Sequence, residues 1–225
     1  MSDESKFKAA TAGHGKGSAM ASGTTKYDIS ATTSGFMRIS GLYAGYDGTD
    51  VIRDLSITFS SRITCLMGES GCGKTTLLKV LIGLVPVRAG EIINPPRYPI
   101  MMFQEDRLIP GLNVLKNVEL VAYADSVPSP AKKYLEALDM AQSSDKFPSE
   151  LSGGMSRRVA LARALTAISP DCDMLVLDEP FKGLDRDLVL KAAALIRDVP
   201  VPVIVTTHDP GDAELLGAKT VRLNA

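Results

Sequence analysis

The chain has no tryptophan, only 5% aromatic residues, and three cysteines among 225 residues. Cys65, Cys72 and Cys172 are scattered in or beside apolar runs rather than at paired spacings, which is not the pattern of a disulfide framework. Reduced thiols in a cytosolic protein are the economical reading. No uninterrupted apolar stretch approaches the roughly 18–20 residues that span a bilayer, and the N-terminus lacks the apolar segment of a secretory signal. Excess charge of one sign is also missing. Lys plus Arg number 25 against 26 Asp plus Glu, a net charge of −1. That balance gives no electrostatic case for nucleic acid or for an anionic membrane surface, so a partner must be recognised by shape. Residues 1–34 have almost no large apolar side chains and are rich in Ser, Thr, Gly, Ala and Lys. Such a tail cannot bury enough surface to offset its ordering entropy and is expected to be disordered, with His14 solvated. The remaining length suits one core with a small appended subdomain rather than two full domains.

What the chain does have is Gly68-Glu69-Ser70-Gly71-Cys72-Gly73-Lys74-Thr75-Thr76, with apolar Ile63 to Met67 before it and Leu77, Leu78, Leu81 and Leu84 after it. The order is strand, loop, helix. Successive backbone N–H groups of such a loop curl around β- and γ-phosphates, glycines allow close backbone approach, and the helix N-terminus adds positive partial charge. Lys74 supplies an ammonium for the phosphate oxygens, and the Thr75 hydroxyl is placed to ligate Mg²⁺. A plain glycine-rich turn would not need the Lys-Thr pair.

From Phe36 to Thr58 short alternating segments are broken by Gly41, Gly45 and Gly48, which predicts a small antiparallel sheet. Beyond it, strand-length apolar runs at Ile63–Met67, Ile100–Phe103, Met174–Leu177 and Val203–Val205 alternate with helical patterns. This predicts an α/β P-loop NTPase fold with a mainly parallel core sheet covered on both faces. Pro202 sits at a strand's first position, where its missing N–H is tolerated. Between Gln104 and Leu151 no strand pattern appears. Val114, Val118 and Val121 share a helical face, and Ser129-Pro130 reads as an N-cap and first turn ahead of Leu135 and Leu138. A helical insertion over about 106–150 is expected inside a domain spanning 35–225.

Asp178 and Glu179 stand at the C-terminal end of the third run, beyond the sheet edge where ligands bind in open α/β folds. Asp178 would hold Mg²⁺, and Glu179 would polarise the attacking water as general base. His208 follows the fourth run to the same edge, with Asp209 beside it, and suits a contact to the γ-phosphate and the water. Gln104 ends the second run where the insertion begins; by sequence alone it could equally be a surface glutamine. Ser152-Gly153-Gly154 opens another helix, continued by Met155, Val159, Ala162 and Leu165. It is a second anion-binding terminus that one nucleotide, already enclosed by its own phosphate loop, does not need.

Four motifs fall in one order: the phosphate loop, Leu151 to Leu165, Met174 to Pro180, and Thr206-Thr207-His208-Asp209. In this they resemble the ATP-binding-cassette family from about Ile39 to about Asn224. The resemblance implies an ATP- and Mg²⁺-dependent ATPase that dimerises head to tail. Each ATP would lie between the phosphate loop of one copy and Ser152-Gly153-Gly154 of the other. Further roles come from the resemblance alone. Gln104, carried by Phe103-Gln104-Glu105-Asp106, would contact Mg²⁺ and the water as a sensor. Asp185, in Gly183-Leu184-Asp185, would lie in a loop crossing the dimer interface, although Lys182-Gly183 stand where the family commonly has small Ser-Ala residues. Tyr46, with Tyr43 as rival, would stack on adenine, and the helical insertion would face a membrane permease. The run Phe103 to Pro110 is most similar to importers of the nitrate, sulfonate and taurine group. The chain would then be a peripheral subunit on the inner face of the cell membrane, with permease subunits and a substrate-binding protein as partners and no C-terminal regulatory domain. One rival is a soluble cassette ATPase acting on ribosomes or DNA, though such proteins tend to carry paired cassettes or a coiled-coil insertion. Another is a P-loop kinase, which would need an acceptor site and a lid.

Overall fold

A computed structural model describes residues 36–123 and 129–223, so the expected tail at 1–34 lies outside the described residues. Two sheets carry the fold. The first is antiparallel, with order β2-β1-β4: β1 (Met37–Tyr46), β2 (Thr49–Phe59) and β4 (Val87–Ile93). Alternation in β1 and β2 buries Met37, Ile39, Leu42, Ala44, Ile52 and Phe59 on one side. Gly41 and Gly45, expected to break the segment into turns, instead lie inside β1. Its pairing with β2 slips between Ile39 and Leu42 and again between Ala44 and Gly45, so the irregularities are absorbed as bulges in one long strand.

The second sheet is wholly parallel, with order β5-β6-β7-β3-β8: β3 (Ile63–Met67), β5 (Pro99–Met102), β6 (Met174–Asp178), β7 (Val203–Thr206) and β8 (Lys219–Arg222). Both faces are covered, and strand alternation divides the core in two. Leu175, Leu177, Val203 and Val205 face one cluster with the helices α4 (Gly153–Thr166) and α5 (Arg186–Arg197). Met174, Val176, Ile204 and Leu66 face the other, with α1 (Lys74–Leu81) and the antiparallel sheet. Each such side chain removed from water contributes about 1.5–3 kcal/mol, which explains strands that are apolar at every position.

Between β5 and α4 lie α2 (Val114–Glu119), α3 (Ala131–Ala137) and two 3₁₀ turns, with no strand among the described residues there. Val114 and Val118 are buried as predicted, but α2 ends before Val121. Asn117, fully buried, explains the compact turn ahead of α2: its amide accepts from the Ile109 N–H and donates to the carbonyls of Ile109, Leu112 and Asn113. Ser129 accepts from the Ala131 N–H at 3.3 Å, while the residue flanking α3 is Pro130, one position later than the sequence suggests. The last helix, α6 (Pro210–Leu216), returns to the edge strand β8. No helix among the described residues is long and apolar enough to cross a membrane.

Candidate active site

Four adjacent strands of the parallel sheet end at one edge, and each delivers part of a single pocket. β3 leads into the phosphate loop and α1, β5 into Gln104, β6 into Asp178 and Glu179, and β7 into Thr206 and His208. The pocket, about 330 Å³, is lined by Ser70, Gly71, Gly73, Lys74, Thr75, Thr76, Gln104, Asp178, Glu179 and His208, together with Val51. The phosphate loop is shaped by close contacts. A Cβ on Gly68 would lie 2.5 Å from the Leu223 carbonyl and 2.6 Å from Cys72 Sγ, so this position has no room for a side chain. Lys74 is buried and folds back over the loop, donating to the carbonyls of Gly68 at 2.7 Å and Glu69 at 2.9 Å.

Thr75 Oγ1 donates to Asp178 Oδ2 at 2.8 Å, and Thr206 Oγ1 donates to Asp178 Oδ1 at 2.6 Å. The nearly buried Asp178 is thereby fixed at both oxygens. Thr206 also accepts from the Glu179 N–H at 2.9 Å, tying β7 to the carboxylate pair. Thr206 stands in the fourth motif but was given no role from the sequence; its place comes from the register that sets it opposite Asp178 on the neighbouring parallel strand. Glu179 adopts a left-handed φ of 54°, which turns its side chain away from the strand direction. Its Oε1 lies 2.9 Å from His208 Nε2 and its Oε2 lies 3.3 Å from Lys182 Nζ. Burial pushes the Glu179 carboxyl up, but Lys182 and His208 outweigh it and hold the group below its usual range.

Asp209, expected beside His208 as a polar neighbour in the site, is engaged elsewhere. Its carboxylate accepts from the Gly211 N–H at 2.8 Å and caps α6, leaving Glu179 as the partner of the histidine.

Arg157 is the other residue the sequence reading passed over. It lies on α4, 3% exposed, and donates to the carbonyls of Phe103 and Gln104, to Asp106 Oδ1, and to the carbonyls of Asp178 and Glu179. One guanidinium therefore holds the Gln104 segment, the carboxylate pair and α4 together. The available signal was its place one and two turns before Leu161 and Ala164 on a buried helix face.

Several predicted residues stay outside the pocket. Ser152 caps α4 by accepting from the Met155 N–H at 3.3 Å, and among the described residues neither it nor Gly153 or Gly154 lines the phosphate pocket. Asp185 caps α5, accepting from the Leu188 N–H at 2.9 Å, and does not line that pocket either. Tyr46 stands 41% exposed at the end of β1 with Lys79 of α1 over its ring, while Tyr43 lies within the sheet opposite Ala89.

This constellation is that of a nucleotide-hydrolysing cassette, and residues 52–182 match the ABC transporter family model. The chain belongs to the ABC transporter family; it binds ATP and is an ATPase. It is 36% identical over 211 residues to the aliphatic sulfonates import ATP-binding protein SsuB 2 of Agrobacterium fabrum, covering 86% of this chain and 78% of that one. It is also 36% identical over 197 residues to SsuB 3 of Nocardia farcinica, covering 85% and 78%. Among solved structures it is similar to the dimeric MJ0796, a bacterial ABC transporter cassette, with TM-score 0.68, 26% identity and coverage of 83% and 94%. A post-hydrolysis dimer of that cassette bound to ADP and Pi matches with TM-score 0.69, 26% identity and coverage of 84% and 94%.

Proposed function

We propose that the chain is the ATP-hydrolysing subunit of an importer, acting as a head-to-tail dimer on a separate membrane permease supplied by a substrate-binding protein. The observation that carries the reading is a division within one chain. Lys74, Thr75, Gln104, Asp178, Glu179 and His208 line one pocket, while the second anion-binding terminus, Ser152-Gly153-Gly154, lies outside it. A second copy would bring that terminus, and Asp185, to the nucleotide, so ATP would join the two copies and its hydrolysis would release them. Relatives named for aliphatic sulfonate import favour an importer over a soluble regulator. The subunit would sit peripherally on the cytoplasmic face of the membrane, with the helical insertion against the permease.

In the reaction, the water oxygen bonds the γ-phosphorus as its proton passes to Glu179. The bond to the β–γ bridging oxygen breaks with its electron pair leaving on ADP, and inorganic phosphate is the other product. His208 holds Glu179 Oε1 on the phosphate side of the pocket, and Lys74 and the loop N–H groups hold the phosphates. The hydroxyl of Thr75 and the carboxylate of Asp178, 2.8 Å apart, are hard oxygen donors that fit Mg²⁺, with the Gln104 amide as a further ligand. When bound, the ion neutralises phosphate charge and helps to fix the triphosphate. Tyr46, exposed beside α1, is the residue proposed to stack on adenine.

Glu179→Gln tests the reading. It should keep ATP binding, lower turnover by about 10²-fold or more, and accumulate an ATP-bound dimer on size-exclusion chromatography. Turnover at the wild-type rate would remove the base assignment. Captured from its host in mild detergent with ATP and Mg²⁺, the same variant should bring down a polytopic membrane protein; ribosomal or DNA-associated proteins alone would support the soluble regulator.

A further inference from the structure

Glu179 is only 14% exposed, and both of its carboxylate oxygens have a partner: His208 on Oε1 and Lys182 on Oε2. The two partners are not equivalent. His208 lines the phosphate pocket with Lys74, Thr75 and Asp178, so it belongs on the side where the nucleotide reacts. Lys182 does not line that pocket. It borders the adjoining cavity of about 480 Å³, which His208 and Glu179 also line together with Phe181, Leu184 and Asp212. Its side chain is 63% exposed and reaches the carboxylate from three residues along the same loop. On one flank Phe181 is buried, and on the other Leu184 packs against the core, so the loop is pinned on both sides of a lysine otherwise free to move.

A general base must have a lone pair available to the water. Before proton transfer Glu179 carries its full negative charge; in the transition state the arriving proton has cancelled part of it. An ammonium 3.3 Å from Oε2 therefore attracts the ground state more strongly than the transition state. An interaction of that kind raises the barrier rather than lowering it.

We propose that Lys182 is a positioning residue that restrains the base: its ion pair with Glu179 Oε2 holds the carboxylate, and turnover quickens when that pair opens. The inference rests on the reading of Glu179 as the base. A route for opening the pair is present in the fold. Gly183, the next residue, abuts the start of α4 so closely that a Cβ on Gly154 would lie 2.7 Å from the Gly183 carbonyl. A ligand seated on Ser152-Gly153-Gly154 that shifts this segment presses directly on the loop that carries Lys182.

The test is steady-state ATP turnover of the full chain as wild type, Lys182→Ser, Lys182→Arg, Glu179→Gln and the Lys182→Ser/Glu179→Gln double variant. Lys182→Ser should raise kcat about two- to five-fold, the range an exposed ion pair can produce, with KM for ATP within about two-fold of wild type. Lys182→Arg, which retains a cation, should return kcat toward wild type, and the double variant should be as inactive as Glu179→Gln. A role confined to loop structure predicts instead a lower kcat or melting temperature. An unchanged or reduced kcat in Lys182→Ser, with Glu179→Gln inactive, overturns the restraint alone; wild-type turnover in Glu179→Gln overturns the base assignment beneath it.

Discussion

Arg157 organises the site although it faces away from the phosphate pocket. Its guanidinium is buried against four backbone carbonyls and the Asp106 carboxylate, which lies 2.9 Å away. Removing it would leave Asp106 without its ion-pair partner and take a charged donor from those carbonyls, of which Glu179 keeps the Lys182 N–H, so Arg157→Ala should cost about 3–5 kcal/mol, read from the shift in the urea midpoint. Arg157→Lys would keep the charge but lose the planar fork and should recover only part of that stability. At this scale the sequence is uneven. Lys74, Thr75, Asp178, Glu179 and His208 are legible because their chemistry is tied to motif spacing. Arg157 and Thr206 are not, because each acts across a tertiary contact, one through a helix face and the other through strand register. Asp209, next to His208 in sequence, answers a local demand instead: the helix N-terminus that follows takes its carboxylate.

Among the elements, the buried parallel strands were the most legible, since continuous apolar runs admit few other readings. β3 begins and ends where its apolar run does, and β6 and β7 each extend one residue further, to Asp178 and Thr206. The sheet edges were less so. β4 reads Val-Arg-Ala-Gly-Glu-Ile-Ile and is largely exposed, and β8 is a four-residue edge strand with Lys219 and Arg222 at its ends. Neither carries an apolar run, because each has a partner on one side only. The start of α4 depends on its contact with the loop after β6. Gly154→Val would drive a side chain into the Gly183 carbonyl, 2.7 Å from the Cβ position. The expected result is a stability loss of about 1–3 kcal/mol by thermal melting.

For the whole molecule, the order of motifs along a parallel sheet carries Lys74, Asp178, Glu179 and His208 to one sheet edge. The sequence could not give the three-dimensional separation of Ser152 from the phosphate pocket, since loop and helix packing decide it. The three thiols report how the layers enclose that site. Cys65 is fully buried, and burial together with nearby Asp212 pushes its thiol up to about 12; burial raises Cys172 as well. Cys72 is half-buried within the phosphate loop. Iodoacetamide at neutral pH should therefore label Cys72 in the folded chain and ATP should slow that labelling, while Cys65 and Cys172 react only on unfolding, as peptide mass spectrometry would resolve. The Arg157 contacts reach further than stability. Since one guanidinium links residues 103–106, residues 178–179 and α4, these distant stretches cannot loosen independently without breaking shared bonds. Their slowest amide hydrogens should exchange with solvent deuterium at a common opening free energy, as one cooperative unit that divides into separate rates when Arg157 is replaced.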